Sequence, residues 1–191
     1  MKKLLKEIVE INAGYSFRGT IPVSENGNHR VIQIKDVTYS GFISSRGLIK
    51  ATTDSIKPQY LTQTGDVLFT SRGTNRRAAV VDETATGAIF VSQLYALKTK
   101  TDAVMPEYLA WYLNQKPAQE FFEANASGSY IQNIRHDVLA QLPVILPSVE
   151  MQKRIVEIYR LGLREREIAE KILEKRWQTV EKTLLELIKE K

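Results

Sequence analysis

Leu146-Pro147-Ser148-Val149-Glu150-Met151-Gln152-Lys153-Arg154-Ile155 opens the stretch that decides the architecture, because no proline follows it up to Lys191. Pro147 disfavours helical backbone at the residue before it, and the Ser148 hydroxyl is a good acceptor for a free N–H of a first helical turn. Glu150 then falls where a negative charge suits the helix dipole. Downstream, Ala, Leu, Glu, Lys and Arg dominate, all strong helix formers. A continuous helix over 148–191 is roughly 60 Å long, about twice the width of a small domain. Leu173, Trp177, Val180, Leu184 and Leu187 alternate spacings of four and three, the heptad of a coiled-coil seam. Ile155, Ile158, Leu161, Ile168 and Ile172 continue an apolar stripe upstream, broader and less regular. Gly162 weakens the helix by about 1 kcal/mol relative to Ala and marks a close approach or a kink. Such a helix either folds back on its own domain or joins a two-helix seam. The seam is the reading adopted. With one such helix in the chain, its partner is a second copy, and a two-fold pair is the commonest arrangement. Ile168, Ile172, Leu173, Trp177, Val180, Leu184 and Leu187 are the expected dimerisation residues.

The remaining 1–147 is a normal size for one domain with its own core. The expected fold class is α+β: a mixed globular domain over 1–147, then a helical arm over 148–191. Of the 191 residues, 43% are hydrophobic and 26% charged, ordinary proportions for a soluble globular protein. No apolar run reaches the roughly 20 residues that span a bilayer. Met-Lys-Lys is followed by Glu7 and Glu10 rather than a signal-peptide core. With no cysteine there is neither disulfide nor thiol chemistry, so a cytoplasmic location is expected. Net charge is +5, with 11 Lys/Arg against 9 Asp/Glu in 148–191 and 16 against 13 before it. That excess alone does not imply nucleic acid. Its distribution says more: three arginines and no acid lie between Asp66 and Asp82.

Residues 2–11 suggest a short amphipathic helix with Leu4, Leu5, Ile8 and Ile11 on one side, ending at Asn12-Ala13-Gly14. An exposed loop follows over Gly14–Gly19, then a polar hairpin-like stretch from Ser24 to Asn28. Val31–Val37 alternates like a strand, and further strands are expected at 42–50, 66–70, 78–82 and 88–98. At Pro106 the period changes to that of a helix with Pro in its first turn. A second helix is expected at 117–126, with Phe121 and Phe122 facing the core. Tyr108, Trp111 and Tyr112 have helical spacing, so they read as core rather than as base-stacking platforms. Residues 126–135 read as a loop and a short extended piece. A short helix at 137–142 and a strand at 143–146 then lead into the long helix.

Several chemistries are missing. No two glycines are separated by a single residue, which removes the phosphate-cradling loop of dinucleotide sites. No Gly-Lys-Ser/Thr occurs, so there is no P-loop. None of the six prolines follows Asn or Asp, so the Asn/Asp-Pro-Pro-aromatic tetrapeptide of amino-methyltransferases is absent. His29 and His136 are the only histidines, a poor supply for a metal site. His136 with Ser71 or Ser129 has no nucleophile-pair signature. A non-catalytic protein without cofactor or metal is expected.

Three stretches together resemble the specificity (S) subunits of Type I restriction-modification systems. These are Ile11–Phe17 followed by Val31–Val37; Gly65–Gly73; and Ser127–Ile134 followed by Leu142–Pro147 and Glu150–Ile155. The family usually has a second proline where Ser148 stands. A full S subunit carries two target-recognition domains and two long conserved helices. The resemblance therefore implies a half-length form that binds one half of a bipartite double-stranded DNA site. Its helix would set the distance to the other half and help dock methyltransferase (M) subunits, and possibly a restriction (R) subunit. Those partners would bind S-adenosylmethionine and flip the target adenine. An antiparallel homodimer would read a palindromic bipartite site, since operator symmetry mirrors protein symmetry.

For the reading surface, Arg72, Thr74, Asn75, Arg76 and Arg77 stand first, a Gly-Thr-Asn loop carrying three cations after an expected strand. The planar arginine fork suits guanine O6/N7 or a phosphate. Arg18, Lys35, Arg46, Lys50, Ser129, Tyr130, Asn133 and Arg135 stand second. The rival function is a dimeric scaffold or inhibitory adaptor that docks on a methyltransferase without reading sequence.

Overall fold

Five strands form the sheet around which the chain is built, in the order β2-β9-β6-β7-β4. They are β2 (Val9–Ala13), β4 (Phe42–Ile43), β6 (Val67–Thr70), β7 (Ala78–Val81) and β9 (Leu94–Thr99). Val67, Leu68, Phe69, Ala78, Ala79 and Val81 are all essentially buried, as continuous apolar runs covered on both faces must be. A second sheet, ordered β5-β3-β8, comprises β3 (His29–Ile32), β5 (Ile49–Ala51) and β8 (Ile89–Phe90). Its buried residues Val31, Ile32, Ile89 and Phe90 join Leu68, Ala79, Leu94 and Ala96 in one apolar cluster. In this computed structural model, residues 1–39, 41–73, 76–128 and 132–189 are described. The chain divides into two compact units, Met1–Lys153 and Arg154–Lys191.

The helix expected over 2–11 shrinks to one turn, α1 (Leu5–Ile8), between β1 (Lys2–Leu4) and β2. β1 pairs with β10 (Pro143–Ile145), and β2 pairs with β9 along its full length from Val9↔Thr99 to Ala13↔Tyr95. Strand pairing with distant partners outweighs a weak local helical period. The expected strand at 42–50 is interrupted by a turn at 44–48, where Gly47 has φ +78°. The one at 88–98 breaks at 91–93, and the one at 31–37 gives way to a 3-10 turn at Ile34–Asp36. That turn is closed by the Gln33 N–H donating to Asp36 Oδ2 at 2.8 Å.

Helices α2 (Pro106–Leu113), α3 (Lys116–Asn125) and α4 (His136–Ala140) stand close to expectation. Tyr108 and Tyr112 are buried and donate to the Ile145 and Pro143 carbonyls at 2.6 and 3.0 Å. Burial, reinforced by Tyr112, pushes the Tyr108 phenol up to about 12. These rings are core, as their spacing predicts.

The long helix α5 (Val149–Lys189) runs without a break. Ser148 Oγ accepts from the Met151 N–H at 3.3 Å, the cap expected from sequence. Gln152 is fully buried: it accepts from Met105 N–H at 2.9 Å and donates to the Ala103 and Pro147 carbonyls at 2.8 and 3.0 Å. A Cβ on Gly162 meets nothing within 4 Å among the described residues of this chain. No described helix is long and apolar enough to cross a membrane.

Candidate nucleic-acid interface

Strand directions gather several loops at one end of the five-stranded sheet. Register pairs Ala13 with Tyr95, Thr70 with Leu94 and Phe69 with Ala78. The exit of β2, the entry of β9 and the β6–β7 connection therefore share one end. Hydrogen bonds tie them together. Ser71 donates to the Gln93 carbonyl through its N–H and its hydroxyl, at 2.9 and 2.8 Å. The Ser92 N–H donates to Tyr15 O at 2.8 Å, and the Val91 N–H to Ile32 O at 3.1 Å. Gly14 permits this: a Cβ there would lie 2.2 Å from the Val91 carbonyl oxygen.

The β6–β7 connection is also joined to a segment more than fifty residues away. Arg72 and Asn133 form an isolated antiparallel bridge, as do Ser127 and Asn133. The Gly73 N–H donates to Gln132 O at 3.0 Å and the Ile134 N–H to Ser71 O at 2.8 Å. The two stretches singled out separately in the sequence are thus one folded unit. At its far side Asn114 holds the start of β7, exchanging side-chain hydrogen bonds of 2.9 and 2.8 Å with the backbone of Ala78.

The three arginines of the connection do different things. Arg72 is exposed. Arg77 is half-buried and stacks its guanidinium over the Tyr39 ring, 4.0 Å from the centroid. An aromatic face attracts such a cation and restricts its rotamers. Arg76 is only 3% exposed, so it is not the solvent-facing reader its sequence position suggests. Its Nη2 donates to Gln132 Oε1 at 2.6 Å, while its Nε is buried without a hydrogen-bond partner among the described residues. Burial lowers its pKa, opposed by the Glu123 carboxylate. Arg76 is placed to hold the connection onto the 127–134 segment.

Arg135 is exposed and pairs with Asp137 at 2.8 Å, an exposed ion pair of little energetic weight. Between them in sequence, His136 meets Tyr95 edge-on at 6.2 Å. Burial and the Asp137 carboxylate raise the Tyr95 phenol, opposed by the His136 backbone N–H and Arg72. Arg18, on the loop after β2, and Lys35, in the 3-10 turn after β3, are exposed on segments that leave the two sheets beside the 91–93 turn. Thr74, Asn75, Ser129 and Tyr130 lie outside the described residues. Arg46 and Lys50 belong elsewhere: β4 runs parallel to β7, so Arg46 follows it to the opposite sheet end, where Ser45 N–H donates to Thr84 Oγ1 at 2.8 Å. Lys50 sits on β5 of the second sheet. Tyr39 and Gln132 escaped the sequence reading, since neither has a local signal; only the fold puts them beside Arg77 and Arg76. Among the described residues no cluster of three or more His, Asp or Glu is suited to a metal ion.

On α5, successive residues turn by about 100°, so Leu173, Trp177, Val180, Leu184 and Leu187 share an arc of about 80°. Trp177 and Leu184 are 62% and 56% exposed. Ile168 and Ile172 lie about 100–140° away from the centre of that arc, on a different face of the helix. Exposed i,i+4 pairs such as Arg166–Glu170 at 2.8 Å and Lys171–Glu167 at 2.6 Å support the helix locally.

Comparison with known proteins adds the family. The family model for the Type I restriction modification DNA specificity domain matches residues 1–175. The chain is 26% identical over 105 residues to the Type I restriction enzyme EcoEI specificity subunit of Escherichia coli, covering 52% of this chain and 18% of that protein. The S subunit of a Type I restriction-modification system from M. genitalium superposes with a TM-score of 0.56 at 17% identity, over 83% of this chain and 37% of that one. The HsdS subunit from Thermoanaerobacter tengcongensis gives 0.61 at 22% identity, over 88% and 38%. A chain from a structure on complex assembly and conformational transition of the type I R-M system gives 0.60 at 22% identity, over 92% and 44%. These structural likenesses are of fold. The chain spans about a fifth of the curated relative and about two fifths of the structural ones.

Proposed function

The chain belongs to the Type I restriction-modification DNA specificity family, and on that footing we propose that it is a non-catalytic sequence-reading subunit that binds double-stranded DNA. Residues 1–147 act as the recognition domain and 148–191 as a spacer arm. Two copies pair antiparallel through the Leu173–Leu187 face of α5 and read the two halves of a palindromic bipartite site. The same arm docks methyltransferase subunits, which carry the chemistry. A restriction subunit joins through them.

The observation that carries this reading is the convergence of Arg72, Arg77 and Arg135 at one end of the five-stranded sheet, with Arg18 and Lys35 on segments that leave the two sheets beside the 91–93 turn. Exposed and half-buried arginines on a hydrogen-bonded frame suit both uses, bidentate pairing with guanine and contact with phosphate. Gel shifts of wild type and an Arg72→Ala/Arg77→Ala variant across a salt series, with and without a methyltransferase subunit, test it. Wild-type log affinity falls with log salt, and the variant's slope is shallower by up to about 1.8 if both arginines neutralise phosphates. An arginine that reads a base instead costs about 1–3 kcal/mol at one position of the site. A variant indistinguishable from wild type in slope and sequence preference puts the site elsewhere. Weak wild-type binding blind to sequence would favour a scaffold or inhibitory adaptor.

A further inference from the structure

A second basic feature lies on the other sheet. β3 and β5 pair antiparallel with Arg30 directly opposite Lys50. Two like charges facing each other across a strand pair repel, and nothing in the strand pairing offsets it. Both side chains are exposed and line a cleft of about 290 Å³ with Asn28, His29 and Gly87. No acidic residue lines it among the described residues. Arg30 uses one Nη1 donor on the Thr84 carbonyl at 3.1 Å, which fixes the guanidinium at the cleft edge. The His29 ring is likewise fixed, Nδ1 lying 2.9 Å from Thr53 Oγ1.

The cleft wall is built rather than loose. The Ser24 N–H donates to Lys50 O at 3.0 Å. Asn28 Nδ2 donates to Thr53 O at 2.8 Å, and the Thr53 N–H donates back to Asn28 Oδ1 at 3.0 Å. Gly27 lets this loop lie on β5, since a Cβ there would come within 2.6 Å of Ala51 backbone atoms. A planar fork and an ammonium facing each other in a polar, acid-free cleft suit an oxyanion such as phosphate.

We infer that the Arg30–Lys50 cleft holds a phosphate group, supplied by the DNA backbone outside the bases that are read. The DNA source rests on the function proposed above; the phosphate chemistry does not. The Thr84 turn that holds Arg30 follows β7, at the sheet end opposite Arg72 and Arg77. A phosphate contact there adds affinity without sequence information.

The test compares the full-length wild type with an Arg30→Gln/Lys50→Gln variant in two arms. In the first, DNA affinity is measured across a salt series on a preferred and a random duplex. In the second, inorganic phosphate is titrated without DNA, following the His29 ring resonances. The expected result is a slope of log affinity on log salt shallower by about 0.9 in the variant, an unchanged preference ratio between duplexes, and a phosphate-dependent His29 shift in wild type only. An unchanged slope with a wild-type-only phosphate shift overturns the DNA source and assigns the cleft to a free anion. No phosphate shift and no slope change overturns the site altogether. If wild type has no affinity for DNA with or without a methyltransferase subunit, the function proposed above fails and with it the DNA source. The phosphate arm alone then decides the site.

Discussion

Gln152→Ala removes a side chain that is fully buried and makes three hydrogen bonds, to the Met105 N–H and the Ala103 and Pro147 carbonyls. The change strands one buried donor and two buried acceptors. A stranded group costs about 1–3 kcal/mol, with carbonyls at the lower end, so the sum is about 4 kcal/mol. For a unit of this size that lowers Tm by roughly 12 °C, at about 3 °C per kcal/mol. Gln152→Glu sharpens the test through pH. A buried carboxylate accepts from Met105 but faces two carbonyl oxygens, so its folded-state pKa rises above the ordinary value of about 4.3. As pH rises past that value the unfolded chain ionises first, and stability is lost until the folded-state pKa is passed. The Gln152→Glu variant is therefore closest to wild type in acid and furthest from it at neutral pH. Subtracting the wild-type curve removes the contribution of Asp66, whose carboxyl is likewise raised by burial, against the Gln63 N–H and Lys98. Calorimetry of the three proteins from pH 4 to 8 is the assay. A Gln152→Ala Tm within 2 °C of wild type, or a wild-type-minus-Gln152→Glu difference flat in pH, refutes the weight given to these three buried hydrogen bonds.

Arg72→Ala and Arg76→Met should part company in DNA binding: the first makes the salt slope shallower by about 0.9 or costs one position of sequence preference, whereas the second leaves the slope alone and weakens discrimination by loosening the loop. Equal slope changes would mean that Arg76 reaches DNA despite its burial. Gly14→Ala forces a Cβ to 2.2 Å from the Val91 carbonyl and is expected to lower stability by several kcal/mol, read as loss of soluble protein or a large drop in Tm. Leu184→Asp, at an exposed helix position, should leave the melting of the globular unit within about 0.5 kcal/mol of wild type while lowering the mass seen by sedimentation equilibrium. An unchanged mass would mean that the Leu173–Leu187 face does not join two copies.

The long helix was legible because its signals are local: Pro147 and Ser148 at the start, then an unbroken run of helix formers. The Pro106 helix and its buried tyrosines were legible for the same reason. Residues 2–13 were not. Leu4, Leu5, Ile8 and Ile11 satisfy a helical period, yet β1 and β2 find partners at 143–145 and 94–99, which no local window contains. The interface was half legible. Clustered arginines after an apolar strand were visible, but Arg76 is buried and donates to Gln132, fifty-six residues away. Arg30 had no signal at all: its meaning comes from the register that sets it against Lys50. Lys50 and Arg46, grouped in sequence with the arginine loop, are separated from it by the direction of β4 and by membership of another sheet.

The central claim is that two copies of this chain each read one half of a DNA site, at a separation set by the helical arm. Selection from a random duplex library by the purified chain, repeated with a methyltransferase subunit, tests it directly. Enrichment of an inverted repeat with one fixed spacer, which lengthens or shortens when a heptad is added to or removed from α5, is the expected result. Enrichment of an undivided site, or no enrichment under either condition, contradicts it.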